Sequence, residues 1–208
     1  MQKRQSVVRR WMVPIGIAAA SILLVRWFLI FPIRIGGNTM DAPLTKGQLA
    51  WVCKLQTPHP GSIVLFQSRS LNPNAVRPMR VVGRVVAGPG DKLFVGREGL
   101  YVNGRELSKG NPLPECYQIH IPRTGVQIPL DAINLIAYRA AISSELGQRG
   151  TFLDGKLYID GQQVPAYTFR KSYYWVLADK PDSGPDSRHI GIIPAEDILG
   201  VLLWPLTD

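Results

Sequence analysis

Met79-Arg80-Val81-Val82-Gly83-Arg84-Val85-Val86-Ala87-Gly88-Pro89-Gly90-Asp91 is the stretch whose reading decides the fold. Two valine pairs separated by Gly83-Arg84 read as one extended strand, because β-branched side chains pack well on a pleated surface. Gly88-Pro89-Gly90-Asp91 ends that strand with turn chemistry: proline presets one dihedral and glycine takes the left-handed one. Gly83 is the odd residue. A glycine inside a strand marks either a bulge or the close approach of another backbone or ligand, and both readings stand at this point.

Working outward, the 208 residues suit one medium domain with a small insertion. The 17 prolines and 20 glycines favour short strands punctuated by turns over a helical bundle. The formal net charge of +9 raises nucleic acid as a partner, but the basic residues are dispersed beyond an N-terminal cluster. No nucleic-acid motif accompanies them, so no nucleic-acid partner is expected.

Lys3, Arg4, Arg9 and Arg10 precede an apolar run from Trp11 to Ile33, long enough at 1.5 Å per residue to cross a bilayer core of about 30 Å. Pro14 lies in its first turn, where a missing N–H costs little, and Arg26 can snorkel to the far interface. Phe28-Leu29-Ile30-Phe31-Pro32 stands where a cleaved signal peptide would carry a small-x-small site, so the run reads as an uncleaved anchor. Residues 1–10 are then a cytoplasmic basic tail and 11–33 a single-pass membrane anchor. The rest is expected on the periplasmic or extracellular side, the lipid bilayer being a partner of the anchor.

Beyond the anchor, Leu49 to Leu55 and Ile63 to Gln67 read as strands split by the Pro58-His59-Pro60-Gly61 turn. Leu93-Phe94-Val95 and Leu100-Tyr101-Val102 follow, and Asn103-Gly104 is a hairpin signal. Between Arg105 and Pro165 the pattern changes to broken strands and a short helix over Ala132–Ser143 capped by Asp131, which reads as an inserted α+β subdomain. Leu157-Tyr158-Ile159 leads into another hairpin signal, Asp160-Gly161, and Tyr173 to Leu177 returns to a strand. The expected organisation is a mainly β core over 34–104 and 166–208, with 105–165 inserted. Cys53 and Cys116 neither demand nor exclude a disulfide. No Cys/His spacing suits a metal, and no cofactor is expected.

Four separated segments resemble the type I signal peptidase family. Gly37-Asn38-Thr39-Met40-Asp41-Ala42-Pro43-Leu44 is similar to its Ser-x-Ser-Met-x-Pro-Thr-Leu nucleophile segment, and Pro60-Gly61-Ser62-Ile63-Val64-Leu65-Phe66 to its Gly-Asp-Ile-Val-Val-Phe strand. Gly83 to Asp91 resembles Lys-Arg-Val-Ile-Gly-Leu-Pro-Gly-Asp, and Ala178 to Gly191 resembles Gly-Asp-Asn-Arg-x-x-Ser-x-Asp-Ser-Arg-x-x-Gly. Ile121-Pro122-Arg123, Ile128-Pro129-Leu130 and Tyr167-Thr168-Phe169 are similar to the family's bacteroidete-type members.

The resemblance implies a serine nucleophile, a neutral lysine as its base and a serine-assisted oxyanion hole. This chain departs from that pattern at all four positions. Thr39 stands at the nucleophile, Gly83 at the base, Gly37 at the oxyanion serine and Gly184 at the serine that orients the lysine. Arg80 and Arg84 cannot replace the base, because guanidinium stays protonated. Lys180, in the last block, is a candidate displaced base. Asp186 and Arg188, with Gly90 and Asp91, are carried over as structural residues. The implied peptide groove runs between Ile33–Gly37, with Met40, and Arg80–Arg84, placing Ile33, Ile35, Met40, Arg80, Val82 and Arg84 along it.

Two functions follow from different classes. One is a non-catalytic protein that binds extended segments of exported or precursor proteins as a chaperone or assembly factor, using main-chain pairing that survives loss of the base. The other is an active signal peptidase that uses Thr39 with a displaced lysine. A structural membrane subunit with an empty groove is a third.

Overall fold

The computed structural model describes residues 11–12, 14–22, 29–37, 40, 44, 46–68, 78–96, 99–109, 117–180 and 184–203. Residues 11–12 and 14–22 are helical and exposed. Among the described residues no helix is long and apolar enough to cross a membrane. The expected span of 11–33 also ends too late. Ile30–Arg34 is strand β1, paired antiparallel with β2 (Leu49–Cys53) in the register Ile30↔Cys53 to Arg34↔Leu49. Pro32 in its middle lacks the N–H a helix interior needs, yet an edge strand tolerates it.

The rest of the chain is mainly β. β3 (Ile63–Ser68), β4 (Met79–Ala87), β14 (Tyr173–Leu177), β15 (Ile193–Pro194) and β16 (Ile198–Leu203) join β1 and β2 in a seven-stranded sheet of order β1-β2-β16-β3-β4-β14-β15. Strict alternation along β3 sends Ile63 and Leu65 to one face, with Ile35, Met40, Val52 and Val82. Val64 and Phe66 go to the other, with Val81, Val85 and Val176. Both faces at the centre of the sheet are therefore buried.

Gly88-Pro89-Gly90-Asp91 forms a hydrogen-bonded turn. Asp91 N–H donates to the Gly88 carbonyl at 3.1 Å, Gly90 sits at φ 95°, and the Asp91 carboxylate accepts the Gly88 N–H at 2.7 Å. Positive φ at the third position is what a type II turn requires, and proline suits its second.

The expected subdomain boundary at 104/105 falls inside a hairpin. β5 (Lys92–Gly96), β6 (Gly99–Val102), β7 (Arg105–Lys109) and β8 (Tyr117–His120) form one sheet of order β7-β6-β5-β8. β9 (Gln127–Pro129) pairs with β13 (Ala166–Thr168), and β10 (Gly150–Leu153), β11 (Lys156–Ile159) and β12 (Gln162–Val164) form a three-stranded sheet. A single apolar cluster then joins Leu93 and Val95 of β5 to Tyr138 and Ile142 of the helix Ala132–Leu146 and to Tyr173 and Trp175 of β14. The second core thus begins at β5 and takes in Tyr167 and Phe169.

Candidate functional site

A cavity of about 580 Å³ opens between the two strands expected to flank the groove. One wall is the β1 end and the residues after it, Pro32 to Gly37; the other is the first half of β4, Met79 to Val82. Gly184 and Pro185 close one side. The sequence-selected residues Ile33, Ile35, Arg80 and Val82 meet here, and the two lost serine positions, Gly37 and Gly184, line the same space. Thr39 lies outside the described residues.

Other selected residues lie elsewhere. Met40 is buried, at 2 % exposure, and packs among Ile35, Val52, Leu65 and Val82 rather than lining the cavity. Arg84 is drawn away by Asp179. Its Nε and Nη2 donate to the two carboxylate oxygens at 2.8 Å each, and Nη1 donates to the Gly61 carbonyl at 3.2 Å. A planar fork matched to a planar carboxylate fixes the guanidinium at a separate, smaller cavity beside Ser62 and His59. Lys180 is exposed, and among the described residues the groove cavity is lined by two arginines and no lysine.

Gly83 faces neither cavity. Residues 81, 83 and 85 share the opposite face of β4, within the cluster of Phe66 and Val176. The β3–β4 register runs evenly through Val64↔Gly83, so the glycine is no bulge against β3. It marks a close approach. A Cβ built there would stand 2.6 Å from Val176 Cγ1 and 3.1 Å from the Leu177 carbonyl oxygen. The one register shift nearby lies in β14, between Trp175 and Val176, and it sets Val176 against β4.

The last block is clamped to β14 from below. Asp186, 1 % exposed, accepts the Ala178 N–H at 3.0 Å and the Arg188 N–H at 2.9 Å, and it pairs with the Arg188 guanidinium. Ser187 Oγ accepts the buried Val176 N–H at 2.9 Å. Asp186 also caps the short helix Ser187–Ile190, so one carboxylate positions the segment that presents Gly184 and Pro185 to the cavity. Cys53 is a free thiol, and Cys116 lies outside the described residues. Among the described residues no cluster could hold a metal ion.

Several contributors were not singled out from sequence. Pro32, Arg34, Leu65, Met79 and Pro185 line the cavity, and Asp179 holds Arg84. Arg34 had one available signal: it is the polar member of the Ile33-Arg34-Ile35 alternation at a strand end.

The family model described as "Signal peptidase, peptidase S26" matches residues 8–207. Signal peptidase IB of Staphylococcus aureus (strain COL) is 23% identical over 211 residues, covering 97% of this chain and 92% of the relative. Signal peptidase I of Streptococcus pneumoniae serotype 4 is 24% identical over 189 residues, covering 89% and 88%. A crystal structure of a signal peptidase I from Enterococcus faecalis V583 is 20% identical, with a TM-score of 0.36, covering 71% of this chain and 98% of that one. The family model's match to nearly the whole length of the chain, residues 8–207, places it in the signal peptidase family, peptidase S26.

Proposed function

We propose that this chain is a non-catalytic member of its family that holds extended segments of exported proteins. It would be anchored by its N-terminal segment in the cytoplasmic membrane with the β domain outside. The observation that carries the reading is the filling of the base position. Where the family resemblance calls for a lysine, Val176 Cγ1 occupies the space a Cβ would need. A threonine hydroxyl with no neutral amine beside it is a weak nucleophile.

The groove supports binding without cleavage. β1 is the terminal strand of the sheet, and its backbone parity is set by two bonds: Ile35 N–H to the Gln48 carbonyl at 3.0 Å and Lys54 N–H to the Leu29 carbonyl at 2.9 Å. Odd-numbered residues therefore bond toward β2, and Ile30, Pro32 and Arg34 turn their backbone groups to the outer edge. An added strand finds the Ile30 and Arg34 N–H groups and three carbonyls there. Pro32, lacking a donor, limits the registers that can pair.

The test is incubation of the full-length protein in detergent with a precursor carrying a small-x-small site. No cleavage is expected, and an extended peptide from an exported protein should bind. Cleavage that Thr39→Ala abolishes would overturn the proposal.

A further inference from the structure

We infer that the segment this groove accepts is acidic, with carboxylate side chains that meet Arg34 on one wall and Arg80 on the other; this rests on the groove reading above. Both arginines line the cavity, one contributed by β1 and one by β4. The described lining contains no aspartate or glutamate. Every other arginine with a close carboxylate in the described structure is spoken for within the fold: Arg84 by Asp179, Arg149 by Asp160 and Arg188 by Asp186. Arg34 and Arg80 appear in none of these pairs, although the chain carries 15 acidic residues.

The floor between them is apolar, made by Ile33, Ile35, Leu65 and Val82. An extended segment alternates its side chains, so apolar residues reach that floor while the intervening ones rise to the rim. Opposite charge at a partly desolvated rim adds selectivity more than raw affinity, and like charge is rejected there. A segment with small or apolar residues at one parity and glutamate or aspartate at the other satisfies both surfaces. A basic segment of the same shape does not.

Three fluorescein-labelled nine-residue peptides of serine, threonine and valine, identical except for two Glu, two Gln or two Lys at alternate central positions, separate the possibilities. Fluorescence anisotropy against the full-length protein in detergent is expected to rank them Glu, Gln, Lys, with about a tenfold gap between the extremes from two charge pairs. The gap should shrink in 0.5 M salt, on the order of a several-fold loss, as screening shortens the field to a few ångströms. Arg34→Gln and Arg80→Gln should each remove part of the gap without changing the melting temperature. Equal binding of all three peptides, or a preference that survives both substitutions, overturns the charge inference and leaves the groove standing. Binding of none of them overturns the groove reading and this inference with it. Loss of binding to phosphatidylglycerol vesicles in the arginine variants, with peptide ranking intact, would assign the arginines to lipid and likewise overturn it.

Discussion

At the scale of single residues, Gly83 governs what the site can be. Its neighbours on the same face are apolar and stiff: Val176 has a branched Cβ and cannot swing its methyl far. Gly83→Ala is expected to destabilise the protein by about 1–3 kcal/mol, the usual cost of forcing a methyl into a packed interior. Val176→Ala opens the space, so the double substitution should cost less than the two single losses added together. Denaturant unfolding of all four variants measures that coupling; simple additivity would mean that the two positions do not touch. The same contact bears on rebuilding a Ser/Lys pair. Gly83→Lys with Thr39→Ser, which the family resemblance suggests as a route to activity, must first displace Val176. The four altered positions were legible in the sequence because motif spacing located them. That Val176 fills the gap was not, since a β14 register shift decides it and no local pattern encodes a shift between distant strands.

At the scale of elements, the hairpins were plainly written. Asn103-Gly104 and Asp160-Gly161 take positive φ at both residues, 53° and 78° for the first pair and 50° and 83° for the second. That is what a two-residue type I′ turn requires, and it is why these dipeptides signal it. The cap of the central helix was equally readable: Asp131 accepts the Asn134 N–H at 2.7 Å. The end of the apolar run was not readable. Ile30 and Phe31 suit a helix or a strand by periodicity alone, and only pairing with β2 decides between them.

Glu145 was also invisible, because its partners are spread from the strand Ala166–Thr168 through the following loop to the first residue of β14. Its carboxylate accepts Tyr167 Oη–H at 2.9 Å, Tyr173 Oη–H at 2.7 Å, the Arg170 N–H at 2.8 Å and the Lys171 N–H at 3.1 Å. Four donors converge on one side chain and fasten the helix to β14. Glu145→Gln turns one acceptor into a donor facing donors. It should cost roughly 2 kcal/mol, the order expected for leaving half-buried partners unsatisfied. A melting curve of the variant checks this; an unchanged midpoint would mean water replaces the carboxylate at no cost.

At the scale of the whole molecule, three apolar clusters share the sheet, and the largest is built around aromatic side chains. Phe169 stands edge-on to Tyr138, Tyr167 and Tyr173, with ring centroids 5.5, 5.1 and 5.7 Å away. Three of these four rings carry phenols, and burial shifts all of them in one direction. The Tyr138 hydroxyl is pushed up to about 12, chiefly by burial, while the His120 N–H donated to its oxygen offsets part of the rise. Tyr167 and Tyr173 are raised as well, first by burial and then by the Glu145 carboxylate they donate to. The consequence for pH has a definite sign. Below the ordinary tyrosine value of 10.0 both folded and unfolded chains keep these protons, so the stabilisation is fully present. Above it the unfolded chain releases them while the fold retains them. The unfolded state then binds fewer protons, and stability falls with rising pH. The melting temperature should stay level up to about pH 9 and decline from about pH 10 onward. Tyr138→Phe should make that decline shallower while lowering the neutral-pH midpoint, because it forfeits the two bonds to His120 at 3.0 and 2.7 Å. A decline equally steep in wild type and variant would place the alkaline sensitivity elsewhere, leaving Tyr138 a packing residue whose proton has no part in holding the second core to the sheet.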